Sequence, residues 1–286
     1  MVSPPLRPMT AADIDPAVRA ILADDWGDRR AWFEFAVGHP GCTVLVADDG
    51  AGGIAGTGVA TVNGPVAWIG TIWVAADHRR HGLGRTLTGA TIDAAEDAGA
   101  RTLVLVATER GRPLYERLGF EVQAWYRTME APPVAVAGPA ERPLVADPRV
   151  RPFRPSDLPA LVELDRCATG EDRAHLLTAL ASVDGTLVVA DGDRPASAFL
   201  ARAPWGGGAT IATTPTDALA LLDTRRIAAG PGRRVRCGIL ADNVDGAAAL
   251  ERADWTEAWR APRLTRGAPL DWQPDAIWGQ FNHALG

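Results

Sequence analysis

The sequence predicts a mixed α/β (α+β) fold in two tandem copies, each a twisted mixed sheet flanked by helices. Three observations predict it. Short apolar strand patterns alternate with amphipathic helical patterns along the chain. Leu6-Arg7-Pro8-Met9-Thr10-Ala11-Ala12-Asp13-Ile14 recurs as Val150-Arg151-Pro152-Phe153-Arg154-Pro155-Ser156-Asp157-Leu158, Thr43 to Asp48 as Thr186 to Asp191, and Gly111 to Phe120 as Gly246 to Trp255. Three matches in the same order read as an internal repeat. Between the copies, Ala131 to Pro139 is rich in Pro, Ala and Gly and lacks either periodicity, as a linker does. The expected division is a domain over 1–130, a linker over 131–148 and a second domain over 149–286.

In the first copy a strand near Leu6 is followed by helices over 11–22 and 29–37. Strands are expected over 43–47, 54–62 and 66–74, the last reading VAWIGTIWV. A helix over 84–98 places Leu87, Ala90, Ala94 and Ala98 at helical spacing, an apolar face for the sheet, and the Ala98-Gly99 step ends it. Thr102 to Val106 is a short apolar strand of the buried type. A helix over 113–118 and a strand over 121–128 complete the copy.

Composition narrows the chemistry. The 286 residues suffice for two domains with a core each, and 47% hydrophobic and 22% charged residues are ordinary for a globular protein. No lysine occurs, so all 29 basic residues are arginines and an anion must be met by arginine or by backbone N–H groups. A net charge of -6 disfavours a nucleic-acid surface and suits a cationic small molecule. Cys42, Cys167 and Cys237 are too far apart for a CxxC pair, and the five histidines lack metal-ligand spacing, so no metal is expected. The first residues lack a secretory pattern and no apolar run reaches membrane-spanning length, so the expected location is the cytoplasm.

The chemical signal is Arg79-Arg80-His81-Gly82-Leu83-Gly84, placed between a strand and a helix. A helix N-terminus presents unpaired N–H groups and a positive dipole end to an anion. Gly82 and Gly84 omit the side chains that would hold a pyrophosphate away. Downstream stand Thr108-Glu109-Arg110-Gly111-Arg112-Pro113-Leu114-Tyr115 and the turn Tyr115-Glu116-Arg117-Leu118-Gly119-Phe120. This order of motifs resembles the GNAT superfamily of acyl-CoA-dependent N-acetyltransferases over about residues 6–130. As a whole the chain resembles tandem-GNAT proteins, two GNAT-like domains of which the C-terminal one is degenerate.

The resemblance implies acetyl-CoA as acyl donor and a small-molecule amine as acceptor, joined by direct attack in a ternary complex. It assigns the pyrophosphate to Arg79, Arg80, His81, Gly82, Leu83, Gly84 and Arg85. It also places Ile72, Trp73 and Val74 along the pantetheine arm, and Thr108 at the coenzyme. Tyr115 is implied as the general acid, because a phenol with pKa of about 10 can protonate the departing thiolate without carrying charge at neutral pH. A tyrosine that only packs its helix onto the sheet is the plainer reading of the same residue.

The base is not legible. Strand 66–74 holds no acid, and Val106 stands where many related sequences have Asp. Asp24, Asp25, Glu34, His39, Glu109 and a chain of waters remain as candidates. In the second copy Thr213 to Ala218 replaces the phosphate loop and Leu250 replaces Tyr115, so that copy is expected to lack acyl-CoA machinery. A binding protein without efficient catalysis, and a transferase using another acyl group or a hydroxyl acceptor, stay open. Ten tryptophans, among them Trp26, Trp32, Trp68, Trp73, Trp272 and Trp278, pack cores and interfaces or line an acceptor pocket. Paired domains in one chain suggest a monomer or weak homodimer.

Overall fold

The computed structural model describes residues 4–134, 144–182, 184–192 and 194–286, so residues 135–143 of the expected linker lie outside the described residues. In chain order the elements are β1 (Leu6–Pro8), α1 (Ile14–Ala23), α2 (Arg30–Gly38), β2 (Cys42–Asp48), β3 (Ile54–Asn63), β4 (Val66–Val74), α3 (Leu83–Asp97), β5 (Thr102–Val106), α4 (Arg112–Glu116) and β6 (Glu121–Glu130). They continue with β7 (Val150–Pro152), α5 (Leu158–Thr169), α6 (Ala174–Leu180), β8 (Leu187–Val189), β9 (Ala198–Arg202), β10 (Gly208–Ala212), α7 (Pro215–Ala229), β11 (Arg236–Leu240), α8 (Val244–Arg252), β12 (Thr256–Gly267) and β13 (Ile277–Gly279).

Packing divides the chain into two compact units that interleave along it. Unit 1 comprises Met1–Glu121, Leu264–Pro269 and Asn282–Gly286; unit 2 comprises Val122–Arg263 and Leu270–Phe281. In unit 1, β1, β2, β3, β4 and β5 lie side by side, and the Leu264–Gly267 end of β12 follows β5. The first four strands pair antiparallel, whereas β4 and β5 are parallel. Arg101 donates to Pro65 O and accepts the Ala268 N–H at 3.1 Å, which fixes the late-arriving strand in place. Ala60, Ile69, Ile92, Leu103, Leu105, Phe120 and Leu264 form the core there.

Helix α3 spans Leu83–Asp97 and buries Leu83, Leu87, Thr88, Thr91, Ile92 and Ala95. The expected face through Ala90, Ala94 and Ala98 is therefore rotated: Ala98 is exposed, and Thr91 and Ala95 continue the line from Leu87 instead. Small polar threonines serve on a buried helix face because their hydroxyls bond back to the helix. Thr91 Oγ1 donates to Leu87 O at 3.1 Å and Thr88 Oγ1 to Gly84 O at 2.7 Å.

In unit 2, β6 lies between β12 and β11, and β13, β10, β9, β8 and β7 form a second sheet. Its core joins Met129, Leu200, Leu221, Leu222, Ile239, Leu250, Trp255 and Trp278. Arg173 and Asp165 are each 1% exposed and meet in a two-point pair at 2.9 and 2.5 Å, so each buried charge is compensated by the other.

The repeat is carried into structure as a conserved ion pair. Arg7 grips Asp13 with both terminal nitrogens at 2.8 Å, and Arg151 grips Asp157 at 2.8 and 2.7 Å. Each aspartate also accepts a backbone N–H at 2.7 Å, from Thr10 and Arg154 respectively. The arginine partners hold both carboxyls below their ordinary 3.8. A depressed folded-state pKa contributes stability that is complete above the unfolded value and is lost as pH falls through the folded one. The urea midpoint is thus expected to drop as pH is lowered from 5 towards 2. The Asp13→Asn, Asp157→Asn double variant should show a flatter decline over that window; a slope equal to wild type would remove these pairs as its cause.

Candidate active site

The site is built where β4 leaves its neighbour. β4 and β5 pair only over Val66, Ala67 and Trp68 with Thr102, Leu103 and Val104. Beyond Trp68 the ladder between them stops, so among the described residues the Thr71–Val74 end of β4 has no strand partner on that side. On the other side a bulge interrupts the ladder, since Thr57 pairs with Trp73 but Val59 pairs with Gly70. Thr71 occupies the extra position at φ 51, left-handed and unusual for a β-branched residue. It is pinned from two sides: Trp32 Nε1 donates to its hydroxyl at 3.0 Å, and Thr57 Oγ1 donates to its carbonyl at 2.8 Å.

Following β4, the chain turns at Ala76–His78 and enters α3 through Gly82, whose φ of 89 is left-handed. No side chain caps this end of α3, and the first bond of its ladder is Thr86 N–H to Gly82 O at 3.1 Å. The preceding N–H groups, those of Leu83, Gly84 and Arg85, thus stand at the positive end of a helix of 15 residues. A Cβ on Gly84 would come no closer than 3.7 Å to Val74 Cγ2 and 3.9 Å to Leu114 Cδ2, so protein packing does not require the glycine. Arg80, His81, Gly82 and Arg85 are exposed.

Arg79 is engaged within the protein. Its Nε donates to Val74 O at 2.8 Å, its Nη2 meets the Asp24 carboxylate, and its backbone N–H donates to Ala76 O at 3.3 Å. Trp73 Nε1 donates to the same Asp24 oxygen at 2.9 Å.

Leu114 sets α4 beside the loop, and Tyr115 follows it. The Tyr115 ring packs edge-on against Phe120 at 6.2 Å, and the same turn closes by Phe120 N–H to Tyr115 O at 3.1 Å. Burial, acting without a hydrogen-bonding partner, pushes the phenol up to about 12. Thr108 Oγ1 accepts the Gly111 N–H at 3.1 Å and so shapes the entry to α4.

Gly84 lies beside Val74 and Leu114, Gly111 beside Thr108 and Tyr115, and Ile72 and Tyr115 pack on one core, while Trp73 and the Arg79 guanidinium turn towards Asp24. The other candidates for a base are spread out. His39 Nδ1 accepts the Gly41 N–H at 3.1 Å and its ring stacks on Phe35 at 4.8 Å. Glu34 faces Arg30 at 3.8 Å, and Asp25 and Glu109 are exposed. Trp32 stood among the tryptophans that could line an acceptor pocket, whereas Thr71 and Thr57 were not legible as site residues. Among the described residues no group of His, Cys, Asp and Glu could hold a metal, and no helix is long and apolar enough to cross a membrane.

Residues 11–120 match the Acetyltransferase (GNAT) family, and they contain the splayed strands, the open helix N-terminus and Tyr115. The family match thus lies in residues 11–120, the N-terminal part of the chain. Over 127 residues it is 32% identical to the uncharacterized N-acetyltransferase YitH of Bacillus subtilis (strain 168); the match covers 44% of this chain and 43% of that protein. The chain thus spans less than half the length of the curated relative it matches. Among solved structures, a candidate acetyltransferase of Pyrococcus horikoshii superposes with a TM-score of 0.78 at 20% identity, covering 99% of this chain and 95% of that one. A tandem GNAT protein from the clavulanic acid biosynthesis pathway gives 0.59 at 16% identity over 93% and 99%. These likenesses show a fold shared with both structures over most of the chain.

In the second copy, helix α7 begins differently from α3. Helix α7 starts at Pro215, which has no N–H, and Thr214 Oγ1 accepts the Asp217 N–H at 3.2 Å. The Asp217 carboxylate, tied to Arg149 at 2.8 Å, adds a negative charge to that helix end. The turn after α8 repeats that after α4, with Trp255 N–H bonded to Leu250 O at 3.0 Å and Asp254 at φ 62 in the place of Gly119 at φ 84. Leu250 is fully buried and brings no hydroxyl.

Proposed function

We propose that the chain is an N-acetyltransferase that binds acetyl-CoA through its GNAT domain and moves the acetyl group to an amine of a small molecule in a ternary complex. The observation that carries this reading is the uncapped N-terminus of α3, opened by left-handed Gly82, beside the unpartnered end of β4. Backbone N–H groups at Leu83, Gly84 and Arg85 suit a pyrophosphate, and Ile72 and Val74 offer main-chain groups along which pantetheine can run as an added strand would.

The amine nitrogen attacks the thioester carbon, the carbon–sulfur bond breaks, the thiolate takes the Tyr115 proton, and the phenolate regains a proton from water. A phenol raised to about 12 remains protonated throughout the neutral range. Strand β4 carries no carboxylate to take the acceptor's own proton, which leaves by one of the acids named above or through water. That same absence favours a second reading, an acyl-CoA sensor without efficient turnover. Thiol release from acetyl-CoA against a panel of amines separates the two: release that depends on the amine is expected, and binding without release would favour the sensor.

Acetyl-CoA should bind once per chain. The capped, acidic start of α7 supports this number. Calorimetric titration giving two sites of similar affinity would overturn the assignment of α7 as a closed site.

A further inference from the structure

Resting on the reading of Arg79–Arg85 as a pyrophosphate site, we propose that Asp24 is a positioning residue for that site, acting through Arg79. Arg79 stands five residues beyond Val74 and three before Gly82, between the strand end and the open helix end. Its guanidinium is held along one edge, Nε by the Val74 carbonyl at 2.8 Å and Nη2 by the Asp24 carboxylate. Guanidinium is a planar fork, so fixing one edge fixes the direction of the other. Nη1 carries no bond to protein among the described residues and keeps its donors for an anion.

Asp24 is itself held. Its Oδ2 also accepts Trp73 Nε1 at 2.9 Å, and the Trp73 ring is 2% exposed. The carboxylate therefore stands on a buried indole, itself part of β4, and it caps the end of α1, where its own N–H bonds to Ile21 O at 3.2 Å. Without it, Arg79 would keep a single neutral acceptor and a long side chain free to turn away. An aspartate beside an arginine at an anion site would ordinarily oppose anion binding by its charge. Here its oxygen faces the occupied edge, so orientation outweighs repulsion.

The test is a double-mutant cycle on coenzyme A affinity, read by calorimetry on the full chain. Asp24→Ala should weaken binding about tenfold in the wild-type background and hardly at all in the Arg79→Gln background. Equal loss in both backgrounds would mark a general structural role, and no loss in either would show that Arg79 needs no support; either result overturns the inference. Asp24→Asn, which keeps an oxygen acceptor for Trp73 and Arg79, should lose less than the alanine variant and serves the same cycle if the alanine variant does not fold. A wild-type chain that binds no coenzyme A would instead remove the underlying reading of the loop.

Discussion

Replacing Gly84 with valine is expected to lower coenzyme affinity by about two to three orders of magnitude, roughly 3–4 kcal/mol, while leaving the melting temperature nearly unchanged. The two effects separate because of what surrounds the glycine. Its added Cβ would find only Val74 and Leu114 at 3.7 and 3.9 Å, ordinary contact distances. Gly84 also lies within α3, where valine is no worse a helix former than glycine. A ligand whose phosphates rest on the N–H groups of that first turn would instead meet the new side chain and lose several charge-assisted hydrogen bonds. Calorimetry showing unchanged affinity in a folded variant would rule out this loop as the phosphate site.

Tyr115→Phe is expected to lower kcat by about 10²–10⁴ with coenzyme affinity and fold kept. The hydroxyl makes no hydrogen bond among the described residues, and burial is what displaces its pKa. Removing the oxygen therefore costs the structure little, and the edge-on contact with Phe120 survives in phenylalanine. The proton is needed only as the carbon–sulfur bond breaks, so the loss belongs in kcat rather than in binding. A variant retaining half of wild-type turnover on a true acceptor would reduce Tyr115 to a packing residue. With the phenol near 12, no loss of activity from its ionisation is expected between pH 7 and 10 in wild type.

The sequence by itself determined the elements, the repeat and the chemistry-bearing turn, because each is a local property. Period-two and helical patterns located β3, β4 and α3, and Gly82 and Gly84 marked a turn without side chains between strand and helix. The recurrence of Arg7 with Asp13 as Arg151 with Asp157 foretold two copies of one device, since a pair six residues apart closes on itself. In the second copy the segment Thr213 to Ala218 has no Arg-x-x-Gly-x-Gly, an absence that the sequence shows without any neighbour.

Only the tertiary structure decided which distant groups meet. Asp24 reaches Arg79 and Trp73 through the packing of α1, and no periodicity encodes that contact. The bulge at Thr71 arises because two hydrogen bonds, from Trp32 and Thr57, hold a conformation that its own backbone disfavours. The buried face of α3 follows how the helix settles on β3, so threonines were chosen over the alanines that spacing alone preferred. Strand order is the furthest removed from local pattern: Leu264–Gly267 takes its place beside β5 by backbone bonding, which any extended segment can offer and only assembly assigns.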